Sequence, residues 1–228
     1  MRVVMSWSGG KDSAQALRAL QGDPEVEVAA LLTTITETYE RVSMHAIRVD
    51  LLRAQAAATG LPLVEVRIPP TCVNDVYRER MEAAISSQPI AGIDHHAFGD
   101  LFLEDVRSYR EKTLGTVGKE ALFPLWAEDT EELAYGFIAD GFRAVVTCVD
   151  PAKLDPSFVG REFDAGFLDD LPRSVDPCGE NGEFHTFVYD GPIFHSPIAF
   201  SHGATTERDG FYFHDVIPAG DRAPLSIS

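Results

Sequence analysis

Apolar positions in the first half of the chain follow two alternating rhythms. Short apolar runs at Arg2–Ser6, Val26–Thr33, Pro62–Ile68, His96–Gly99 and Ala121–Phe123 have the length of buried strands. Between them, longer stretches carry apolar residues at helical spacing: Ala14–Leu20, Ser43–Thr59, Val73–Ser86 and Glu104–Leu114. In the second of these, Ile47, Leu51, Leu52 and Ala58 mark the apolar positions and Gly60 stops the pattern. Gly22-Asp23-Pro24 and Pro69-Pro70 punctuate the series. Strand alternating with helix predicts an α/β fold, a five-stranded parallel Rossmann-like sheet with helices on both faces. Ligands of such sheets bind beyond the carboxyl ends of the strands, near the point where strand order reverses.

The pattern changes in the second half. A helix is predicted over Glu128–Asp140, with an apolar face of Leu133, Phe137 and Ile138, followed by a strand over Phe142–Cys148. Beyond Asp150 the chain is rich in Pro, Gly and Asp until a strand at Phe184–Val188. Thr205–Ile217 reads as a hairpin turning at Arg208-Asp209-Gly210. The expected organisation is a nucleotide-binding domain over 1–126 and a smaller α+β domain over 127–228, with no internal repeat.

The first strand runs straight into Ser8-Gly9-Gly10-Lys11-Asp12-Ser13, and a helix follows at once. A strand, a glycine-rich turn and a helix make a phosphate-binding corner: the helix start offers unpaired N–H groups and a partial positive charge. Lys11 adds a full charge, and Ser8 and Ser13 add hydroxyl donors. The Walker pattern is excluded, because it needs glycine where Met5 stands and Ser or Thr where Asp12 stands. The loop resembles instead the SGGxDS loop of the ATP pyrophosphatases, which split ATP between its α- and β-phosphates. Thr33 and Thr34, ending the second predicted strand, flank the same crevice; strand-end hydrogen bonding and an adenosine contact are both open to them.

Two further clusters carry chemistry. Gly99-Asp100 precedes a helix on which Arg107 and Arg110 are neighbours. They form either a clamp on phosphate oxygens or a solvated face pairing with Glu104 and Glu111. In Pro177-Cys178-Gly179-Glu180-Asn181-Gly182-Glu183-Phe184-His185-Thr186, Glu183 and His185 share one face of a strand. Acid, imidazole and hydroxyl together can position a nucleophile, move its proton or hold a metal; the alternative is a polar turn entering a core strand. A zinc site lacks the paired ligand spacing, and nothing in the sequence stabilises a Cys178 thiolate.

Composition narrows the classes. The chain has 228 residues and a formal net charge of −17, which either repels polyanions and so opposes a tRNA or DNA partner or reports only solubility or habitat. Cys72, Cys148 and Cys178 form no CxxC pair and read as reduced thiols of a cytoplasmic protein. No apolar run has the length of a membrane span. The first strand begins so early that a cleaved leader would remove the loop.

In order along the chain, the Ser8–Ser13 loop, Phe98-Gly99-Asp100 with its trailing arginines, Pro124-Leu125-Trp126 and the Cys178–Thr186 turn resemble the diphthine–ammonia ligase family of ATP pyrophosphatases. The likeness runs through Pro192-Ile193-Phe194. It implies a HUP-type nucleotide-binding sheet, ATP and Mg²⁺ as cofactors, and an amide-forming ligase that adenylates a carboxylate, releases pyrophosphate and admits ammonia. ATP would be held by Ser8, Gly9, Gly10, Lys11, Asp12, Ser13, Thr33, Thr34, Gly99, Asp100, Arg107 and Arg110, with Asp12 and Asp100 as metal ligands. Lys11, Glu180, Glu183 and His185 would be catalytic. The acceptor is either diphthine on an elongation factor or a small carboxylate metabolite, and a homodimer is expected. tRNA modification and ATP sensing without chemistry stand as alternatives on the same fold.

Overall fold

A computed structural model describes residues 1–36, 41–42, 47–69 and 74–220. Residues 43–46 of the predicted second helix, Cys72 and Val73 lie outside them. Strand β1 (Arg2–Ser6) buries Val3, Val4 and Met5 completely, as a strand covered on both faces must. It pairs in parallel with β2 (Glu27–Thr36) on one side and β5 (His95–Ala97) on the other. Outside these lie β4 (Leu63–Ile68), paired with β2, and β6 (Glu120–Leu122), paired with β5. The parallel order is therefore β4-β2-β1-β5-β6, and β3 (Arg41–Val42) adds a short antiparallel pairing at Ile35 and Thr36. The chain builds outward to β4 and then returns to the opposite side of β1. That reversal sets the end of β1 beside the end of β5.

Helix α1 (Lys11–Gly22) starts immediately after the glycine pair and buries Ala14, Ala16, Leu17 and Leu20. Helix α2 covers Val49–Thr59, so Ile47 and Arg48 precede it rather than belonging to it. Arg48 is the extended N-cap residue, and Gly60 closes the helix in the left-handed conformation at φ 72°. Helices α3 (Asn74–Ile85) and α4 (Glu104–Gly115) complete the first half. Among the described residues no helix is long and apolar enough to cross a membrane.

In the second half, Asp129 caps α5 (Thr130–Ala139) by accepting from the Glu131 and Glu132 N–H groups. Strands β7 (Arg143–Val149), β8 (Phe184–Asp190), β9 (Phe200–Arg208) and β10 (Phe211–Pro218) form an antiparallel sheet in the order β8-β7-β10-β9. Between β7 and β8 lies a short helix, α6 (Ala165–Asp170), capped by Asp164. It buries Phe167 and Leu168 but is too short to show a helical period in sequence.

The two sheets share one core. Val3, Met5, Trp7 and Leu17 belong to the same buried cluster as Phe137, Val146, Phe167 and Phe187. The link is polar as well, because the Val188 N–H of β8 donates to the Gly9 carbonyl at 2.9 Å. The loop after β1 is thus fastened to a strand of the other sheet.

Candidate functional site

The Ser8–Ser13 loop is held by its own hydroxyls and by its surroundings. Ser13 Oγ donates to the Gly10 carbonyl at 2.8 Å, and Ser8 Oγ lies 3.2 Å from Ser13 Oγ. The Lys11 N–H donates to Thr186 Oγ1 at 3.0 Å. Gly9 takes φ +80°, and a Cβ there would lie 2.7 Å from Gln55 Oε1 and 2.8 Å from Leu52 Cδ2. Its missing side chain therefore admits α2, not an anion. Gly99 is similar: a Cβ would meet the backbone carbonyl of Asp12 at 2.8 Å. Two backbone segments close on each other there, setting the end of β5 against the start of α1.

Around this contact opens a cavity of about 200 Å³. The loop contributes Ser8, Lys11, Asp12 and Ser13; the segment after β5 contributes Phe98, Gly99 and Asp100; α4 contributes Arg110. The rest of the lining is Gly179 and Glu180 from the turn, with Phe184, His185 and Thr186 from β8. The fold thus brings together three clusters that are separated by most of the chain. Gly9, Gly10, Thr33, Thr34, Arg107 and Glu183 do not line this cavity. Gly9 and Gly10 shape its loop, whereas Thr33 is buried in β2 with its hydroxyl unpartnered among the described groups.

Charges in the cavity are paired. Lys11 is buried, its ammonium contacts the Asp12 carboxylate, and it lies 5.9 Å from the centre of the Phe184 ring. Burial opposes the lysine charge, but Asp12 leads the neighbouring groups that together outweigh it, so the pKa of Lys11 lies above its ordinary value. Arg110 stacks on Phe98 at 4.4 Å and donates to Asp100 at 3.0 Å. Arg107 goes elsewhere: it pairs with Glu111 at 2.8 Å and stacks on Phe123 and Trp126. Of the two arginines, only Arg110 reaches the cavity.

Glu180 and Glu183 part company. Glu180 accepts the Leu101 N–H at 2.8 Å and faces the cavity; burial pushes its pKa up to about 7. Asp12 and Asp100 push the same way, whereas Leu101 and Lys11 oppose. Glu183 is buried beneath the turn, where one oxygen accepts from the Asp176 N–H and the Asn181 amide. The contacts of that oxygen are therefore within the turn itself. His185 stands on the cavity wall. Cys178 is buried and its thiol donates to the Thr130 carbonyl; burial pushes it up to about 12, so it carries no thiolate.

Asp12 and Asp100 are hard oxygen donors on one cavity. Among the described residues no group of three or more Asp, Glu, His or Cys side chains is placed to hold a metal ion. Paired carboxylates are the donors that Mg²⁺ shares with phosphate oxygens and water, and each of these also contacts a cation, Asp12 with Lys11 and Asp100 with Arg110. Sequence reasoning missed Gln55, Asp176 and Phe184. Gln55 had one visible signal, an uncharged polar residue within the apolar face of a helix.

Comparison with known families adds the deciding observation. A model of the diphthamide synthase N-terminal domain matches residues 1–120, and one of the C-terminal domain matches residues 129–214. The chain belongs to the diphthamide synthase family. It is similar to the diphthine–ammonia ligase of Mus musculus, 27% identical over 223 residues, covering 87% of this chain and 82% of that protein. The Homo sapiens diphthine–ammonia ligase is 29% identical over 231 residues with the same coverage. That of Schizosaccharomyces pombe is 24% identical, covering 91% of this chain but 37% of that protein. Within this diphthamide synthase family member, the N-terminal match contains the phosphate-type loop and the C-terminal match contains the Glu180–His185 turn.

Proposed function

We propose that the protein is an ATP-dependent ligase that adenylates a carboxylate and converts it to an amide with ammonia. One observation carries this reading: the Ser8–Ser13 loop and the Glu180–His185 segment line a single cavity. The names of its relatives add support for ligase chemistry and for diphthine as the acceptor. ATP lies with its phosphates on the loop, against Lys11, Ser8, Ser13 and Arg110. Asp12 and Asp100 would hold Mg²⁺, which when bound would neutralise phosphate charge. A carboxylate oxygen of the acceptor attacks the α-phosphorus, and the bond to the bridging oxygen breaks. Pyrophosphate leaves with the electron pair; the Lys11 and Arg110 cations stabilise that charge.

The second step needs neutral ammonia. Glu180 is suited to remove the ammonium proton, since a carboxyl titrating near 7 is divided between base and acid at neutral pH. Ammonia nitrogen then attacks the acyl carbon, the bond to the AMP oxygen breaks with AMP taking the electron pair, and the nitrogen's surplus proton passes to the departing phosphate or to water as the amide forms. His185, on the same wall, orients the acceptor.

Incubation with ATP, Mg²⁺, ammonium and a diphthine-bearing elongation factor or small carboxylates is expected to yield AMP and pyrophosphate. ADP as the product overturns the reading. AMP appearing only with tRNA replaces it with tRNA modification, and tight ATP binding without turnover replaces it with a sensor. Lys11→Ala is expected to weaken ATP binding at least tenfold, on the order of the 1.5–3 kcal/mol of a hydrogen bond to a charged group, as read by calorimetry.

A further inference from the structure

Gln55 lies on the face of α2 that also carries Leu51, Leu52 and Ala56, and it is fully buried. A buried carboxamide costs free energy unless its donors and acceptor are matched. Here the matches come from distant parts of the chain. Trp7 Nε1 donates to Gln55 Oε1 at 3.0 Å. Gln55 Nε2 donates to the Gly9 carbonyl at 3.0 Å and to the Val188 carbonyl at 2.6 Å. The Val188 N–H closes the ring by donating to the same Gly9 carbonyl at 2.9 Å.

The conformation of the phosphate-type loop is therefore not set by the loop alone. Gly9 is gripped between α2 and β8, and two residues on, Lys11 is gripped by Thr186 of the same strand. β8 also carries His185 and continues directly from the turn that holds Glu180. Both walls of the cavity hang from one strand, and the Gln55 amide pins that strand to the loop.

We propose that Gln55 is a positioning residue whose carboxamide fixes the distance between the nucleotide loop and the acceptor wall. Its effect on turnover rests on the function proposed above, whereas the clamp itself does not. Reacting groups tolerate little displacement: a shift of about 1 Å costs on the order of a hundredfold in rate.

Gln55→Met keeps length and bulk but removes both donors. Trp7→Phe removes the donor to Gln55 Oε1 and leaves both Nε2 bonds in place. Both variants are expected to melt earlier than the wild type. Only Gln55→Met is expected to speed amide hydrogen exchange selectively at Lys11 and Val188. It is also expected to lower AMP formation about 10- to 100-fold, with most of the loss in kcat rather than in KM for ATP. Where the Met variant fails to fold, Gln55→Glu serves, since it keeps the bond to Trp7 and puts an oxygen where Nε2 stood; the same selective exchange is expected. Equal exchange and equal turnover in the Gln55 and Trp7 variants overturn the proposal and leave Gln55 an ordinary buried amide. A wild type that forms no AMP overturns the proposed function instead, and the exchange experiment still decides the clamp.

Discussion

In the proposed reaction, Glu180 sits where one proton changes both chemistry and stability. Its carboxyl titrates near 7 because burial disfavours the charged form, and Asp12 and Asp100 add to that. If the ionised form takes the ammonium proton, turnover rises as pH climbs through about 7. Glu180→Gln is expected to lose that limb of the pH profile and about 10²-fold of kcat. The stability effect has a defined sign. A folded pKa above the unfolded value favours the fold fully below about 4.5, and that contribution is lost as pH rises through about 7. Glu180→Gln should therefore melt above the wild type at pH 8 and level with it near pH 4.5, by calorimetry. At this scale the sequence was only partly legible. Glu180 and Glu183 look alike in a row of letters, and only burial beneath the turn separates Glu183 from the glutamate that lines the cavity. Arg107 and Arg110 divide in the same way, because Phe123 and Trp126 capture one guanidinium and Asp100 turns the other toward the cavity.

At the scale of elements, strand and helix positions were largely readable because their periods are strong. Val64, Val66 and Ile68 alternate into the core of β4, and Leu17 and Leu20 mark the buried face of α1. The start of α2 was misplaced, since Ile47 is as apolar as the helix but is buried as part of the approach to it. Helix α6 was invisible, as its single turn and a half leaves no period to detect. The contact between α1 and the end of β5 has a direct test. Gly99→Ala places a Cβ 2.8 Å from the Asp12 carbonyl and 3.0 Å from the Ser13 nitrogen, both backbone atoms that cannot rotate away. The substitution is expected to cost about 1–3 kcal/mol in denaturant unfolding and to weaken ATP binding with it. Gly136→Ala is the control. It lies within α5 with nothing within 4 Å of the new methyl, so it should stabilise by about 0.5–1 kcal/mol without touching the site.

Over the whole molecule, acid should act through an interior strand of the parallel sheet. His96 in β5 is buried, its Nε2 has no partner among the described groups, and burial lowers its pKa to about 4. A depressed imidazole contributes stability above its unfolded value near 6.5 and loses it as pH falls through about 4. That single group removes roughly 3 kcal/mol between pH 7 and pH 4. His96→Leu should flatten the stability curve over that range in urea titrations, whatever its effect at neutral pH. The halves of the molecule are expected to melt together, because the buried cluster is continuous from Val3 to Phe187 and Arg48 grips Asp215 through two bonds across them. Separate transitions in a calorimetric scan would contradict that.

The grip of β8 on the loop also orders events in time. Lys11 waits for Thr186, 175 residues later, before its N–H finds its partner. At synthesis rates of about 5–20 residues per second, that interval is roughly ten to thirty-five seconds on the ribosome. Throughout it the emerging chain displays every residue of the loop without the strand that shapes it. A newborn N-terminal half therefore holds the letters of the loop before it holds the strand that gives the loop its shape.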